Sequence, residues 1–139
     1  MGPYPRDTHF TDSWWHRLWE LGTRYSLWSA HRAGQEVARL ELDTEVYYDH
    51  YTGVPELGPG ILEIDFFEVS SRVRGEGVGS SVVRLVAQRF PESRLLAFSE
   101  EADGFWSSLE WARYDHPAGP SSYRPLFVAP RGWRGIDRA

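Results

Sequence analysis

Cysteine is absent from the 139 residues, which removes disulfides, thiolate metal sites and cysteine nucleophiles together. Lysine and asparagine are absent as well, so all 15 cationic side chains counted as Lys or Arg are arginines. Both absences fit codon bias in a GC-rich genome and carry no functional conclusion. No run approaches the roughly 18 apolar residues that a membrane span needs. The N-terminus also lacks the charged-then-apolar pattern of a signal peptide. The expectation is a soluble, cytoplasmic protein with no membrane partner. There is no internal repeat and no low-complexity segment.

What is present suits one folded domain over residues 1–139, with irregular ends expected at 1–10 and 131–139. Hydrophobic residues make up 41% and charged residues 25%, the ordinary globular range. The net charge of −5 argues against nucleic acid, which calls for a basic face. Aromatic content is high at 15%, with seven Trp. Most of these belong to a core, where large rings contribute much of the buried area.

Along the chain, Thr11, Asp12 and Ser13 offer caps for a helix over Trp14 to Leu21, with Gly22 as its stop. Tyr25 to Ala30 and Val37 to Leu42 read as strands joined by a hairpin turn. In the second, Val37, Arg39, Glu41 and Asp43 alternate with Ala38, Leu40 and Leu42, so one face should be wet. Ile61 to Val69 is the strongest strand signal. Val78, Val82, Leu85, Val86 and Phe90 recur at helical spacing before Pro91. Arg94 to Ser99 is a short buried strand, Asp103 to Tyr114 a further helix, and Pro125 to Ala129 a last strand. Strand, glycine turn, helix and strand predict a parallel crossover. The class expected is therefore α/β.

The informative segment is Arg74-Gly75-Glu76-Gly77-Val78-Gly79-Ser80, between that strong strand and the following helix. A helix N-terminus presents unpaired N–H groups and partial positive charge. These make a phosphate cradle if no side chain blocks the approach. The glycines could instead serve positive φ or close packing. A Walker loop requires lysine, and the dinucleotide fingerprint requires Gly-x-Gly-x-x-Gly; neither fits.

The segment resembles the pyrophosphate signature Gln/Arg-x-x-Gly-x-Gly/Ala of the GNAT superfamily of acyl-CoA-dependent N-acetyltransferases, with Arg74, Gly77 and Gly79 in register. Leu62 to Val69 is similar to that family's central fourth strand. Ala102, Phe105-Trp106 and Leu109-Glu110-Trp111 resemble its later helix motif. The resemblance covers roughly residues 61 to 114. It implies a mixed central sheet flanked by helices, with a splayed parallel strand pair. It also implies acetyl-CoA as co-substrate, no metal, and direct attack by a primary amine in a ternary complex. The pantetheine arm would pair with backbone groups of Phe67 and Val69, whose amide would face the acyl oxygen. The pyrophosphate would rest on the amides from Gly75 through Glu76, Gly77, Val78 and Gly79 to Ser80.

Three positions depart from the family pattern. Trp106 stands where a tyrosine often protonates the leaving thiolate, Ser99 where asparagine is usual, and Glu110 where glycine is usual. Tyr114, Tyr123, Ser107 or water are the substitutes for that acid. The missing tyrosine keeps a second reading open, a CoA-responsive binding or regulatory module without turnover. For the base, Glu63 occupies the offset at which histone-type members carry a glutamate. Flanked by Leu62, Ile64 and Phe66, it should be partly desolvated with a raised pKa; the alternative is a solvated strand carboxylate. Asp65 shares its face by alternation, and Glu68 falls on the other.

The acidic, aromatic stretch from Glu41 to Tyr51 reads either as an acceptor pocket or as a solvated loop with packing tyrosines. His9, His16, His31, His50 and His116 lack metal-binding spacing. Trp14, Trp15 and Trp19 suit a core or a homodimer contact. A small-molecule amine is favoured over a protein as acceptor.

Overall fold

The computed structural model describes residues 4–15 and 25–135. Ala33 and Gly34 take left-handed backbone, φ 53° and 79°, and this reverses the chain between β1 (Tyr25–Arg32) and β2 (Gln35–Asp43). Both strands run further into the turn than the sequence suggests, so the reversal is confined to two residues. β3 (Ile61–Val69) lies antiparallel to β2. The chain then crosses through α2 (Val78–Arg89) to β4 (Arg94–Phe98), which runs parallel to β3. After α3 (Asp103–Ser108) come β5 (Ala112–Tyr114) and β6 (Leu126–Val128). Among the described residues the result is a six-stranded mixed sheet in the order β1-β2-β3-β4-β6-β5. A short α1 (Asp12–Trp15) begins the helix expected from Trp14, and residues 16–21 of that expectation lie outside the described residues.

α2 forms where the apolar spacing requires it. Its buried stripe of Val78, Val82, Val83, Val86 and Ala87 packs on Leu40, Leu42, Leu62 and Ile64 of the sheet as one core. The helix ends at Phe90, one residue before the proline that cannot continue it.

Three expectations need correction. The face of β2 carrying Arg39, Glu41 and Asp43 is dry: these residues are 0%, 0% and 3% exposed. The N-terminal segment covers it through Tyr4, Phe10 and Trp15, a second apolar cluster. The Arg39 guanidinium lies 4.1 Å from the Phe10 ring centroid and 4.8 Å from that of Tyr4. It donates to Pro5 O at 2.7 Å and to Glu36 at 2.9 Å. Alternation identifies the two faces of a strand; what lies on each is decided elsewhere in the chain.

The second correction concerns the helix expected to reach Tyr114. It stops at Ser108, because Glu110 adopts left-handed backbone at φ 63° and turns the chain. Ala112–Tyr114 then pairs with β6 as an edge strand.

The third lies within β3. Its pairing with β2 steps from Phe66 opposite Glu41 to Ile64 opposite Leu42, which leaves Asp65 as the extra residue of a bulge. Residues directly opposite share a face of the sheet. Arg39, Glu41 and Asp43 therefore share theirs with Glu68, Phe66 and Glu63. The bulge cancels one step of alternation and places Glu63 and Glu68 on the same face, not on opposite ones.

Candidate functional site

β3 and β4 pair over three residue couples, Ile61 with Arg94, Leu62 with Leu95 and Glu63 with Leu96. Beyond these the strands diverge and a slot opens between them. Ser70 N–H donates to Val37 O at 2.8 Å. Successive residues of a strand aim their backbone groups to opposite sides, so Val69 and Phe67 aim theirs away from β2 and into the slot. The Val69 carbonyl already accepts from Arg74 Nε at 3.2 Å.

The glycine turn sits at the wide end of the slot. Gly75 and Gly77 take φ 83° and 78°, a conformation that costs glycine little. Nothing lies within 4 Å of a Cβ built on either, so their faces are open. Gly79 is different: a Cβ there would meet the Phe105 ring at 3.0 Å, so this glycine permits close packing of α2 on α3. Gly77 is the N-cap of α2 without a side-chain cap bond, and the helix ladder begins with Ser81 N–H on Gly77 O. The N–H groups of Val78, Gly79 and Ser80 precede that bond and point out of the helix end. They border a groove of about 290 Å³ that also touches Val69, Arg74 and Phe105.

Of the residues expected to hold a cofactor, Val69, Arg74, Gly75, Gly77, Val78, Gly79 and Ser80 line this groove together. Phe67 lines the adjoining slot, a hollow of about 100 Å³ that also includes Phe105. Glu76 contributes no side chain to either, since its carboxylate pairs with Arg32 at 2.9 Å. Arg74 is partly committed as well, with Nη2 3.3 Å from Glu68.

Glu63 stands at the narrow end, the last β3 residue paired with β4. It is 7% exposed. Burial first, then the Asp65 and Asp43 carboxylates, push its pKa from 4.5 up to about 8, and a hydrogen bond to Asp65 adds to the shift. Arg124 pulls the other way. Carboxylate oxygens of Asp43, Glu63 and Asp65 lie within 4.8 Å of one another. At neutral pH Glu63 therefore keeps its proton. Asp65 lines the slot directly.

Glu68, weighed in the sequence as another base, does different work. It accepts from Thr11 N–H at 2.8 Å, Thr11 Oγ1 at 2.7 Å and Trp15 Nε1 at 2.8 Å. It fastens the N-terminal cover to β3.

Past the slot lies a third hollow, of about 490 Å³, walled by Tyr47, Asp49, His50, Tyr51, His116, Tyr123 and Arg124. Phe98 lines both it and the slot, as Phe105 lines both slot and groove. The three hollows therefore adjoin in sequence, a path of neighbouring spaces. Tyr47, Asp49, His50 and Tyr51 supply part of the third hollow's wall, while Tyr48 and Tyr51 also pack on the cluster of Leu57, Leu96 and Leu126. Tyr51 donates to Arg124 O at 2.7 Å, and burial raises its pKa.

The departures now have structural roles. Trp106 is 5% exposed and stacks on Trp111 at 4.9 Å. Ser99 is buried and its hydroxyl accepts from Ala102 N–H at 3.1 Å, which fixes the turn leading into α3. Ser107 is exposed, whereas Ser108 lines the groove. Tyr114 packs in the cluster of Leu57, Leu96 and Leu126, and Tyr123 stands in the outer pocket. Sequence reasoning did not find Asp43, Ser108 or Arg124, which reach the site through strand pairing and folding with no local motif.

No protein-family model and no curated protein sequence matches the chain. Solved structures do. A bacterial toxin is similar at 13% identity and TM-score 0.50, over 70% of this chain and 62% of that one. An acetoin utilization protein from Exiguobacterium sibiricum is 15% identical, TM-score 0.49, over 85% of this chain and 65% of that one. The ribosomal-protein-S18-alanine N-acetyltransferase of Escherichia coli is 13% identical, TM-score 0.47, over 86% and 77%. The chain thus spans less than two thirds of the first two. At these identities the likeness concerns the fold alone. No helix among the described residues is long and apolar enough to cross a membrane.

Proposed function

We propose that the chain is an N-acetyltransferase that moves an acetyl group from acetyl-CoA to a primary amine. The observation carrying this reading is a juxtaposition: the groove at a glycine-bordered helix end shares Phe105 with a strand slot that Asp65 lines. The uncapped amides of Val78, Gly79 and Ser80 suit a pyrophosphate, being donors at a positive helix terminus. The Phe67 and Val69 backbone, free of β4, suits an amide-bearing pantetheine arm. Bound there, acetyl-CoA supplies an activated thioester carbonyl.

The remaining work belongs to the protein. An alkylamine is almost wholly ammonium at pH 7, with a pKa of about 10. The Asp43, Glu63 and Asp65 cluster attracts that cation, and ionised Glu63 removes a proton directly or through water. A base poised near pH 8 is well matched to this task. The N–H of Val69, a β3 residue that lines the groove, is the donor we assign to charge developing on the acyl oxygen. None of Tyr114, Tyr123 or Ser107 lines the slot, so water is left to protonate the departing thiolate.

The test combines thiol release from acetyl-CoA over a panel of amines with calorimetric titration of CoA. In Ser80→Glu a carboxylate sits at the third helical position, where it favours the helix, yet opposes a phosphate in the groove. We expect CoA affinity to fall at least about tenfold, some 1.4 kcal/mol, with the melting temperature unchanged. Undiminished affinity would remove the cradle assignment. Tight CoA binding without turnover on any amine would instead mark a binding module.

A further inference from the structure

The outer pocket carries the chemistry of its occupant. Asp65 lines the slot, with the carboxylates of Asp43 and Glu63 beside it. The Arg124 guanidinium stands in the wall of the outer pocket, which shares Phe98 with the slot. Arg124 is half exposed, and its ion pair, with Glu100, is long at 3.5 Å and lies at the solvent rim. Its backbone is anchored, since its carbonyl accepts the Tyr51 hydroxyl. A guanidinium fork on an anchored backbone, with a weak partner, is a receptor for a carboxylate. The pocket walls are flat rings: His116 stacks on Tyr123 at 3.7 Å and 17°, and Tyr51 meets His116 edge-on at 5.5 Å. The volume of about 490 Å³ falls in the range of small-molecule sites.

Two other acceptor classes fit less well. A polyamine would bring a second cation against Arg124 and the two imidazoles, with Asp49 as the acidic side chain of that wall. A plain alkylamine would leave the guanidinium without use.

We propose that the acceptor is an amino acid: its ammonium lies in the slot at Asp65, its carboxylate on Arg124, and a flat side chain against the pocket rings. This rests on the acetyltransferase reading for the reaction, though not for the binding. Transfer forms the N–C(acyl) bond, breaks the C–S bond, and releases one proton from nitrogen and CoA thiol as the second product.

The experiment compares phenylalanine with phenethylamine, which differ by the carboxylate. For turnover, the ratio of their kcat/KM values is measured in the wild type, Arg124→Ala and Arg124→Lys. We expect phenylalanine to lead by roughly 10 to 100-fold, as a charge-assisted, bidentate contact is worth. The ratio should collapse toward one in Arg124→Ala and recover in part in Arg124→Lys. For binding, amide NMR shifts are followed without any CoA. Phenylalanine should move residues 47–51 and 122–124 in the wild type, and phenethylamine should do so far more weakly. If no amine is turned over but this binding preference holds, the enzyme reading fails and the amino-acid pocket stands. If phenethylamine equals phenylalanine in both assays, or Arg124→Ala leaves the preference intact, the pocket assignment is overturned.

Discussion

Glu63 and Glu68 sit on the same strand, on the same face of the sheet, each 7% exposed. Their surroundings divide them. Glu68 is met by donors, two from Thr11 and one from Trp15, with Arg74 beside it. Glu63 is met by two further carboxylates, and its pKa climbs to about 8. Burial of a carboxyl group therefore does not identify its task. A carboxylate ringed by donors is a fastener. One ringed by like charge is held in an unfavourable state, and such groups gather where chemistry is done.

The comparison breaks first at Glu63. Glu63→Gln preserves shape and the hydrogen bond toward Asp65 while removing the base. We expect kcat to fall roughly 10²–10⁴-fold, the usual worth of general-base catalysis, with CoA affinity unchanged. Wild-type turnover should climb with pH and level off above about 8, and the variant should lack that limb; a shared profile would make Glu63 structural. Stability should move in the opposite direction. The folded state keeps the Glu63 proton between the ordinary value of 4.5 and about 8, where the unfolded chain has lost it. Wild-type stability must then decline across that window as pH rises. Glu63→Gln escapes the decline, so chemical denaturation at pH 8.5 should find it the more stable protein.

Glu68 answers to the reverse test. Glu68→Ala strands the buried Trp15 indole N–H and the Thr11 amide. Each buried donor left unpaired costs about 1–3 kcal/mol. Urea unfolding should register the loss at every pH from 6 to 9. An unchanged unfolding midpoint would mean that Glu68 does not fasten the N-terminal cover.

The smallest effect separates strain kept for function from strain merely tolerated. Glu110 holds left-handed backbone at φ 63° outside the path. Glu110→Gly should raise stability by about 0.5–1 kcal/mol, the relief of a non-glycine residue in that region less the added freedom of the unfolded chain. Turnover should not change. A loss of activity would show that the turn after α3 shapes the site.

What the sequence disclosed followed from local pattern. The ends of β3 and the start of α2 are set by apolar run, glycine and period, and the open face of Gly77 by the motif it matches, whereas the motif's Gly79 serves packing on Phe105. The Glu63 pKa was readable in direction from its apolar neighbours. Its Asp43 partner was not, because cross-strand register is a long-range property. The bulge at Asp65 is equally invisible to alternation, and it reversed the face assigned to Glu68. Arg39 and Glu41 looked wet since nothing within β2 reveals the cover that Tyr4 and Phe10 provide. The Trp111 spacing mimicked a continuing helix although the chain turns at Glu110 to deliver it.

The short pairing of β3 with β4 leaves one strand with two populations of amides. Above the bulge, the Glu68 and Ser70 side of the backbone is held by β2, while Phe67 and Val69 look into an interior gap. Most sheets expose such unpaired backbone at an edge, where another chain can add to it. Here the vacancy is in the middle of the sheet, flanked by strands on both sides. A slim amide-bearing ligand can still act as the missing strand. Occupancy would then slow hydrogen exchange at Phe67 and Val69 selectively, and turn the weakest seam of the sheet into a continuous one.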